Sequence, residues 1–342
     1  MSESQVNVDS EYRWDPFEGR WVILASGRSA RPYEFAPRPV QACATSCSFC
    51  ADHEAETPPE LARWSLPDSR YDWDVRAVPN KYPAVTAITE TNDHESRVDP
   101  AGLWQTASPA VGIHEVIIDA ADHVSDMTEL TVDHLELVLN AYCQRLTVAA
   151  RTNGIRFGLV FKNVGADAGA SIEHAHSQLL ALPMVPPPVQ AREQRQTEHW
   201  QRTGQCLVCQ WLESELQAAE RVVETTDDFA MVCPFFSRFP GEIWIVPRRH
   251  QTHFHKTEAG ELFDLANQLR SALVRLHHTD SSEAYNVVFQ SSSFDVEYPE
   301  SAHWVVQVLP RRVAFAGFEW TTGCFINTLT PEQAAVELRR RP

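Results

Sequence analysis

Two copies of one residue pattern run through this chain of 342 residues. In each half, a Cys-x-x-Cys pair is followed by an apolar segment that leads to a histidine, a stretch with helical spacing, and a later apolar segment that begins at a second histidine. The two histidines are 51 residues apart in the first half, from His123 to His174, and 53 apart in the second, from His250 to His303. This gapped match predicts an internal duplication, so the fold should contain the same unit twice.

The predicted organisation is two domains, residues 1–185 and residues 197–342, because this length is enough for two domains of ordinary size. The segment at 181–196 is rich in proline and then polar. Such a composition is typical of a connection, so we expect this segment to join the two halves.

Each half reads as strands, then a helix, then strands. Compact apolar runs predict the strands, and apolar residues spaced by three and four predict the helices. The predicted strands are 115–120, 157–162, 174–183, 242–247, 284–290 and 303–310, and the predicted helices are 127–152, 256–278 and 330–340. This order favours an α+β fold, with a largely antiparallel sheet flanked by helices, over a doubly wound parallel sheet.

Each half also offers four metal ligands at matched positions. Two thiols and two imidazoles form a Cys₂His₂ set, which is a preferred environment for tetrahedral zinc. The first set is Cys47, Cys50, His123 and His174, and the second is Cys206, Cys209, His250 and His303. Four protein ligands leave no open position, so we predict two structural zinc ions per chain. For any single residue, the competing interpretation is a core cysteine or a surface histidine.

Charge and apolar content exclude some classes of partner. The net charge is −17, and an acidic surface does not attract the phosphates of nucleic acid. A small phosphorylated ligand is compatible with this negative net charge, because it needs only a few cationic side chains close to its phosphates. The first residues are polar and acidic, and the apolar runs are shorter than a membrane span. We therefore expect no signal peptide, no membrane partner and a cytoplasmic location.

The halves differ at one position on their last strand. His-Ala-His-Ser-Gln ends at Gln178 in the first half, and His-Trp-Val-Val-Gln ends at Gln307 in the second. Val305 therefore stands where the first half has His176, and only the first half can carry chemistry that needs this imidazole. Neutral imidazole is a good nucleophile near pH 7. We predict that His176 forms a covalent bond to phosphorus.

The residues around His176 suit a phosphate ligand. The loop at 163–171 is rich in glycine and alanine, which lets backbone N–H groups approach phosphate oxygens. The Gln178 amide can donate to a phosphoryl oxygen, but it is a poor general base for water. Gln178 thus favours a covalent intermediate that waits for a second substrate. By itself, it would read as an ordinary amide on a strand surface.

The segments CSFC, VPNKYPA, GASIEHAHSQ and GEIWIVPRRH resemble the galactose-1-phosphate uridylyltransferase family of the histidine-triad superfamily, over nearly the whole chain. The resemblance implies a duplicated histidine-triad-like fold and a homodimer. It also implies ping-pong transfer, in which His176 takes the uridylyl group of UDP-glucose and passes it to galactose 1-phosphate. The positions that it implies for binding the nucleotide, its phosphates or the hexose are Arg28, Arg31, Asn80, Asn163, Gly169, Ser171 and Glu319.

Other functions stay open. One branch of the family that has both metal sets, found in plants, is an ADP-glucose phosphorylase, which transfers an adenylyl group to phosphate. A zinc-stabilised nucleotide-binding module without turnover would not need His176, and a hydrolase is disfavoured by Gln178. Val313 and Phe325 stand near the places where well-studied members carry a lysine and a glutamine that contact the substrate. We predict uridylyl transfer from UDP-glucose to galactose 1-phosphate first, with adenylyl transfer from ADP-glucose to phosphate as the alternative.

Overall fold

The computed structural model describes residues 10–26, 47–87, 109–279 and 284–340. The strands are β1 (Ser10–Asp15), β2 (Arg20–Ala25), β3 (Ala62–Trp64), β4 (Val75–Pro79), β5 (Ile113–Ile118), β6 (Phe157–Val164), β7 (His176–Leu182), β8 (Val222–Thr225), β9 (Phe229–Val232), β10 (Ile243–Pro247), β11 (Tyr285–Gln290), β12 (Val305–Pro310) and β13 (Phe325–Asn327). The helices are α1 (Val132–Arg151), α2 (Pro187–Thr203), α3 (Leu207–Ala218), α4 (Ala259–Thr279), α5 (Gly317–Thr322) and α6 (Pro331–Arg339).

Within the described residues, ten strands form one sheet in the order β3-β4-β5-β7-β6-β11-β12-β10-β9-β8, and all neighbours in it are antiparallel. Outward from the central β6–β11 pair, the two halves have the same strand order, which is what a duplicated unit produces. A small sheet of β1, β2 and β13 lies beside it. The α+β fold with a largely antiparallel sheet is confirmed. The division into domains at 1–185 and 197–342 stays a prediction.

One face of the large sheet packs against α1 and α4. Leu139 of α1 and Leu269 of α4 are fully buried in one apolar cluster with Val160, Leu179 and Val287 of the strands. Side chains alternate along a strand, so the residues on either side of Leu179 point to the opposite face. The last strand of the first half therefore directs its polar residues away from the two helices.

In the second half, that opposite face is covered by an apolar layer. Phe17 packs against Trp244 of β10 with ring centroids 5.6 Å apart. Leu212 of α3 and Val305 of β12 belong to the same buried cluster. Val305 is only 3% exposed, so this apolar layer covers the position that corresponds to His176.

The connection predicted at 181–196 turns out to be helical from Pro187 onward, where α2 begins. Proline is tolerated in the first turn because the N–H groups there have no helical partner. The residues that α2 buries are Val189, Arg192 and Gln196, spaced by three and four. Two of these three are polar, so the buried face has no apolar periodicity and the sequence pattern could not reveal it.

Asp126 stabilises the contact between the halves. One of its carboxylate oxygens accepts hydrogen bonds from the backbone N–H and the hydroxyl of Thr128. The other accepts from the Tyr285 hydroxyl at 2.8 Å and lies 3.3 Å from the His277 ring nitrogen. Burial alone would raise the pKa of Asp126, but the hydrogen bonds from His277 and Thr128 outweigh it and lower the pKa from 3.8 to about 2.

Asp126→Asn is expected to lower the free energy of unfolding by about 2 kcal/mol at pH 7. Because the pKa of Asp126 is lower in the folded state, its contribution is complete above pH 3.8 and is lost as the pH falls toward 2. Urea unfolding of both proteins at pH 7 and pH 3 measures this. The difference in free energy of unfolding between the two proteins should be about half as large at pH 3 as at pH 7. Asp122→Asn, at an exposed carboxylate nearby, is the control and should have little effect. An equal effect of Asp126→Asn at both pH values would contradict the lowered pKa of Asp126.

Candidate active site and metal centres

The residues predicted for chemistry come together on the open face of the first half. His176 is the first residue of β7, and Gln178 follows two residues later on the same face. The register pairs Phe161 of β6 with Gln178, so Asn163, two residues beyond Phe161, shares that face too. Asn286 of β11 pairs with Asn163 from the second half. One short length of sheet thus carries an imidazole and three amides.

Hydrogen bonding fixes the tautomer of His176. Its Nδ1 lies 2.8 Å from the His174 carbonyl, so Nδ1 carries the proton and Nε2 keeps its lone pair. Burial lowers the pKa of His176, and the positive charge of Lys162 lowers it further. The ring is only 7% exposed and is neutral at pH 7. This tautomer and this charge state are those of a nucleophile.

A buried polar network supports the strand that begins at His176. The Lys162 ammonium donates to the His176 carbonyl at 3.0 Å and to the Asp119 carboxylate at 2.7 Å. The hydroxyls of Ser177 and Tyr142 also donate to Asp119. All four side chains are at most 1% exposed. Each charge is paired and hydrogen-bonded, so the network holds the start of β7 in place instead of leaving an unpaired charge in the core.

Gln178 is in contact with the VPNKYPA segment through His114. The Gln178 side-chain oxygen lies 3.0 Å from His114 Nε2, and the amino group of Asn80 lies 3.1 Å from the same nitrogen. Asn80 also accepts a hydrogen bond from the Tyr82 N–H through its own amide oxygen. The structure therefore brings the predicted residues Gln178 and Asn80 to the two sides of one histidine.

In the glycine-rich loop before β7, the backbone N–H groups of Ala168, Gly169 and Ala170 donate to carbonyls of the loop itself, so the predicted contact of such groups with phosphate oxygens stays a prediction. Gly169 ends a short 3-10 turn (Ala166–Ala168) with φ +85°, a conformation that other residues rarely adopt. Asn286 donates to the Ala168 carbonyl at 2.9 Å, which ties the loop to β11. Ser171 follows and is exposed. The loop can therefore offer its hydroxyl to a ligand above the sheet.

The first predicted metal set is assembled. The ligand atoms of Cys47, Cys50, His123 and His174 all lie within 4.8 Å of one another. The distances from sulfur to Nδ1 are 3.4 to 3.6 Å, and tetrahedral zinc with ordinary bond lengths would require about 3.6 Å. His174 directs its other nitrogen to the Ala120 carbonyl at 2.8 Å, which is the usual support for a metal-bound imidazole. Burial lowers the pKa of His174 to about 4, so it is neutral as metal binding requires.

The second set has the same form. The ligand atoms of Cys206, Cys209, His250 and His303 also lie within 4.8 Å of one another. Cys209 Sγ is 3.4 Å from His250 Nδ1 and 3.3 Å from His303 Nδ1. Both clusters thus fit a tetrahedral Cys₂His₂ ion. Such an ion would hold a Cys-x-x-Cys loop against its sheet.

Two family models together match almost the entire chain. The N-terminal domain of galactose-1-phosphate uridyl transferase matches residues 1–186, and the C-terminal domain matches residues 191–340. The chain belongs to this family. Like its relatives, it is an enzyme of nucleotidyl transfer. The prediction from the sequence motifs is confirmed at this level.

Members of the family differ in how similar they are to this chain. An ADP-glucose phosphorylase of Arabidopsis thaliana is 34% identical, over 98% of this chain and 94% of its own length. A galactose-1-phosphate uridylyltransferase of Thermotoga maritima is 25% identical, over 96% of this chain and 98% of its own. The crystal structure of the Arabidopsis phosphorylase with bound ADP-glucose superposes with a TM-score of 0.83, covering 98% of this chain and all of that one, at 32% identity. A uridylyltransferase structure gives 0.72 at 26% identity, covering 96% of this chain and 97% of that one.

Some predicted residues of this family member are not placed at the site. Arg28 and Arg31 lie outside the described residues. Glu319 is on the short helix α5. Its carboxylate accepts from the Ala316 N–H, and the structure gives it no hydrogen bond to a described residue of the His176 site. In the described segments, no helix is long and apolar enough to cross a membrane.

Two residues of the site escaped the sequence analysis, His114 and Asn286. His114 precedes the predicted strand 115–120, and Asn286 lies inside a predicted strand of the second half. A polar residue in an otherwise apolar strand was the available signal for Asn286. Its partner, however, is 123 residues away in sequence, so only the pairing of β6 with β11 reveals its place.

Proposed function

We propose that this enzyme transfers an adenylyl group from ADP-glucose to phosphate through a covalent adenylyl-His176. The observation that carries the choice of nucleotide is the higher similarity to the ADP-glucose phosphorylase than to the uridylyltransferases, in both sequence and structure. The choice of a covalent route rests on the site. His176 has its Nε2 lone pair available, and its counterpart in the second half is a buried valine.

The first step forms a bond between His176 Nε2 and the α-phosphorus and breaks the bond from that phosphorus to the bridging oxygen. Glucose 1-phosphate leaves with the electron pair of that bond. The imidazole becomes positively charged and keeps its Nδ1 proton on the His174 carbonyl. In the second step, a phosphate oxygen attacks the same phosphorus, ADP forms, and the electron pair returns to Nε2. No net proton transfer to a protein base is needed.

The other residues of the site hold the phosphates. The amino groups of Gln178 and Asn163 donate to phosphoryl oxygens, and Asn80 binds the nucleotide. The hydroxyl of Ser171, in the loop made by Gly169, meets a phosphate. Arg28, Arg31 and Glu319 keep the roles predicted for them, as phosphate and hexose contacts. Gln178 lacks the basicity to activate water, which favours transfer over hydrolysis.

Two zinc ions complete the folded enzyme in this proposal. Cys47, Cys50, His123 and His174 hold one, and the matched set of the second half holds the other. Bound zinc would supply structural crosslinks, because each set offers four protein ligands. Thiolate pairs of this kind persist in reducing compartments, so we place the enzyme in the cytoplasm.

Intact-protein mass spectrometry tests the function. After brief incubation with ADP-glucose, the mass should rise by one adenylyl group, and added phosphate should remove it. Incubation with UDP-glucose followed by galactose 1-phosphate tests the second candidate, uridylyl transfer, which the 25% identity to the Thermotoga enzyme keeps open. A stable uridylyl adduct and no adenylyl adduct would overturn the choice of nucleotide. Nucleotide binding with no adduct of either kind would indicate a binding module.

We also propose a homodimer that uses the outer face of the small sheet. Tyr12, Trp14 and Trp21 are 70%, 44% and 50% exposed and stack edge to face. Exposed aromatic clusters mark interfaces with other proteins. Sedimentation should show a dimer that Trp14→Ser/Trp21→Ser weakens at least about tenfold. Val148→Ser, at an exposed residue of α1, should leave the dimer intact. A monomeric wild-type protein would refute this assembly.

A further inference from the structure

The two amides that flank His176 both have their oxygen atoms held by a neighbour. Gln178 Oε1 contacts His114, and Asn163 Oδ1 contacts Asn286. Neither amino group, Nε2 of Gln178 or Nδ2 of Asn163, has a hydrogen-bond partner among the described residues. An amide has its oxygen and its nitrogen on opposite sides, so holding the oxygen directs the amino group the other way.

The tautomer of His114 is decided by a backbone group. The Ala84 N–H donates to His114 Nδ1 at 2.9 Å, so Nδ1 is an acceptor and Nε2 carries the proton. Nε2–H then donates to the Gln178 oxygen at 3.0 Å. The Asn80 amino group, 3.1 Å from Nε2, would favour the other tautomer. That tautomer would place Nδ1–H against the Ala84 N–H, and a backbone donor cannot rotate away.

Asn286 is fixed in the same manner. Its amino group donates to the Ala168 carbonyl at 2.9 Å. The side-chain oxygen of Asn286 cannot take this place, because two acceptors would then face each other. The second hydrogen of that amino group goes to Asn163 at 2.7 Å, so the accepting atom of Asn163 must be its oxygen. Asn286 is 7% exposed and comes from the second half of the chain. The second half thereby orients a residue of the site in the first.

We propose that His114 and Asn286 are positioning residues that turn the amino groups of Gln178 and Asn163 toward the phosphoryl oxygens of the nucleotide. The inference rests on the proposed nucleotidyl transfer. Negative charge on these oxygens grows as the bond to His176 forms, so donors that are already oriented stabilise the transition state without reorganising. An amide that turns over would present its oxygen and repel the same charge.

A double-mutant cycle tests this, with the single-turnover rate of nucleotidyl-His176 formation as the readout. His114→Phe keeps a ring but removes the donor, and it should slow the reaction about 10- to 100-fold, and by no more than Gln178→Ala does. In the Gln178→Ala background, His114→Phe should have no further effect beyond about twofold. Asn286→Leu should likewise slow the reaction by no more than Asn163→Ala does, and it should have no further effect beyond about twofold in the Asn163→Ala background.

Two further variants distinguish a loss of amide orientation from a general disturbance of the fold. His114→Gln keeps an N–H donor near the position of Nε2 and should recover at least about half of the lost activation free energy. His199→Phe repeats the ring substitution on α2 and should leave the rate unchanged. Zinc content and Tm of each variant report whether it has folded.

The outcomes are distinct. Suppose that the wild-type chain forms the adduct, but the fold-loss in rate of each double variant equals the product of the losses of its two single variants. The positioning role is then wrong, while the proposed function stands. Equal loss in His114→Gln and His114→Phe would also refute it. If wild-type protein forms no adduct with ADP-glucose or UDP-glucose, both the function and this inference fail.

Discussion

Replacement of His176 by glycine should lower the rate of nucleotidyl transfer by about 10⁴-fold or more, since the reaction loses its nucleophile. Within the described part of the chain, the His176 side chain makes one hydrogen bond, from Nδ1 to the His174 carbonyl, and its ring packs edge to face on Phe49. Little else depends on it, so the variant should fold and keep both metals. Steady-state rates and the mass of the nucleotide-treated protein measure the effect.

Chemical rescue provides the control for this variant. The cavity left by the ring can admit adenosine 5′-phosphorimidazolide, which supplies both an imidazole and an activated adenylyl group. The glycine variant should transfer that group to phosphate, although it cannot use ADP-glucose. Normal adduct formation by His176→Gly with ADP-glucose would show that another residue is the nucleophile.

The second large effect is expected from the first metal set. Cys50→Ser should remove one of two zinc ions and slow adduct formation about 100-fold or more. The reason is that the metal site and the nucleophile share one strand end. His174 directs Nδ1 to the two thiols and accepts from His176 through its carbonyl, and Phe49, between the two cysteines, packs on both histidines. Elemental analysis and the single-turnover rate measure both effects.

Cys209→Ser is the matched control in the second half. It should also remove one zinc ion and lower the Tm, because Cys209 lies beside His250 and His303 in the same geometry. The strand that follows His303, however, carries Val305 where the first half has the nucleophile, so adduct formation should stay within about threefold of wild type. Equal loss of activity in both variants would mean that the metals support the fold alone and not the start of β7.

Much of the fold and the site was accessible from residue patterns. The six predicted strands all appear, and α1, α4 and α6 lie within the predicted helices or overlap them closely. Their apolar spacing is strong because each buries one face against the sheet. The helix α2 was missed because its buried face is polar, and α5 was missed because six residues are too short for a periodic pattern. The helix α3 was also missed, although it buries Val208 and Leu212 at helical spacing.

The amino-acid sequence by itself determined the duplication, the two Cys₂His₂ sets and the single asymmetric histidine. These depend on spacing along the chain and on the identity of individual side chains, which a sequence displays directly. His176 and Gln178 also fall on one face because strand periodicity is local. The family follows from the same motifs.

Only the tertiary structure decided which residues from distant segments orient that site. The contact of Asn286 with Asn163 needs the pairing of β6 with β11, and that of His114 with Gln178 needs the pairing of β5 with β7. Strand pairing depends on the packing of the whole sheet, so no local pattern encodes it. Likewise, Val305 packs in one buried cluster with Phe17 and Trp244 because distant segments cover that face of the second half.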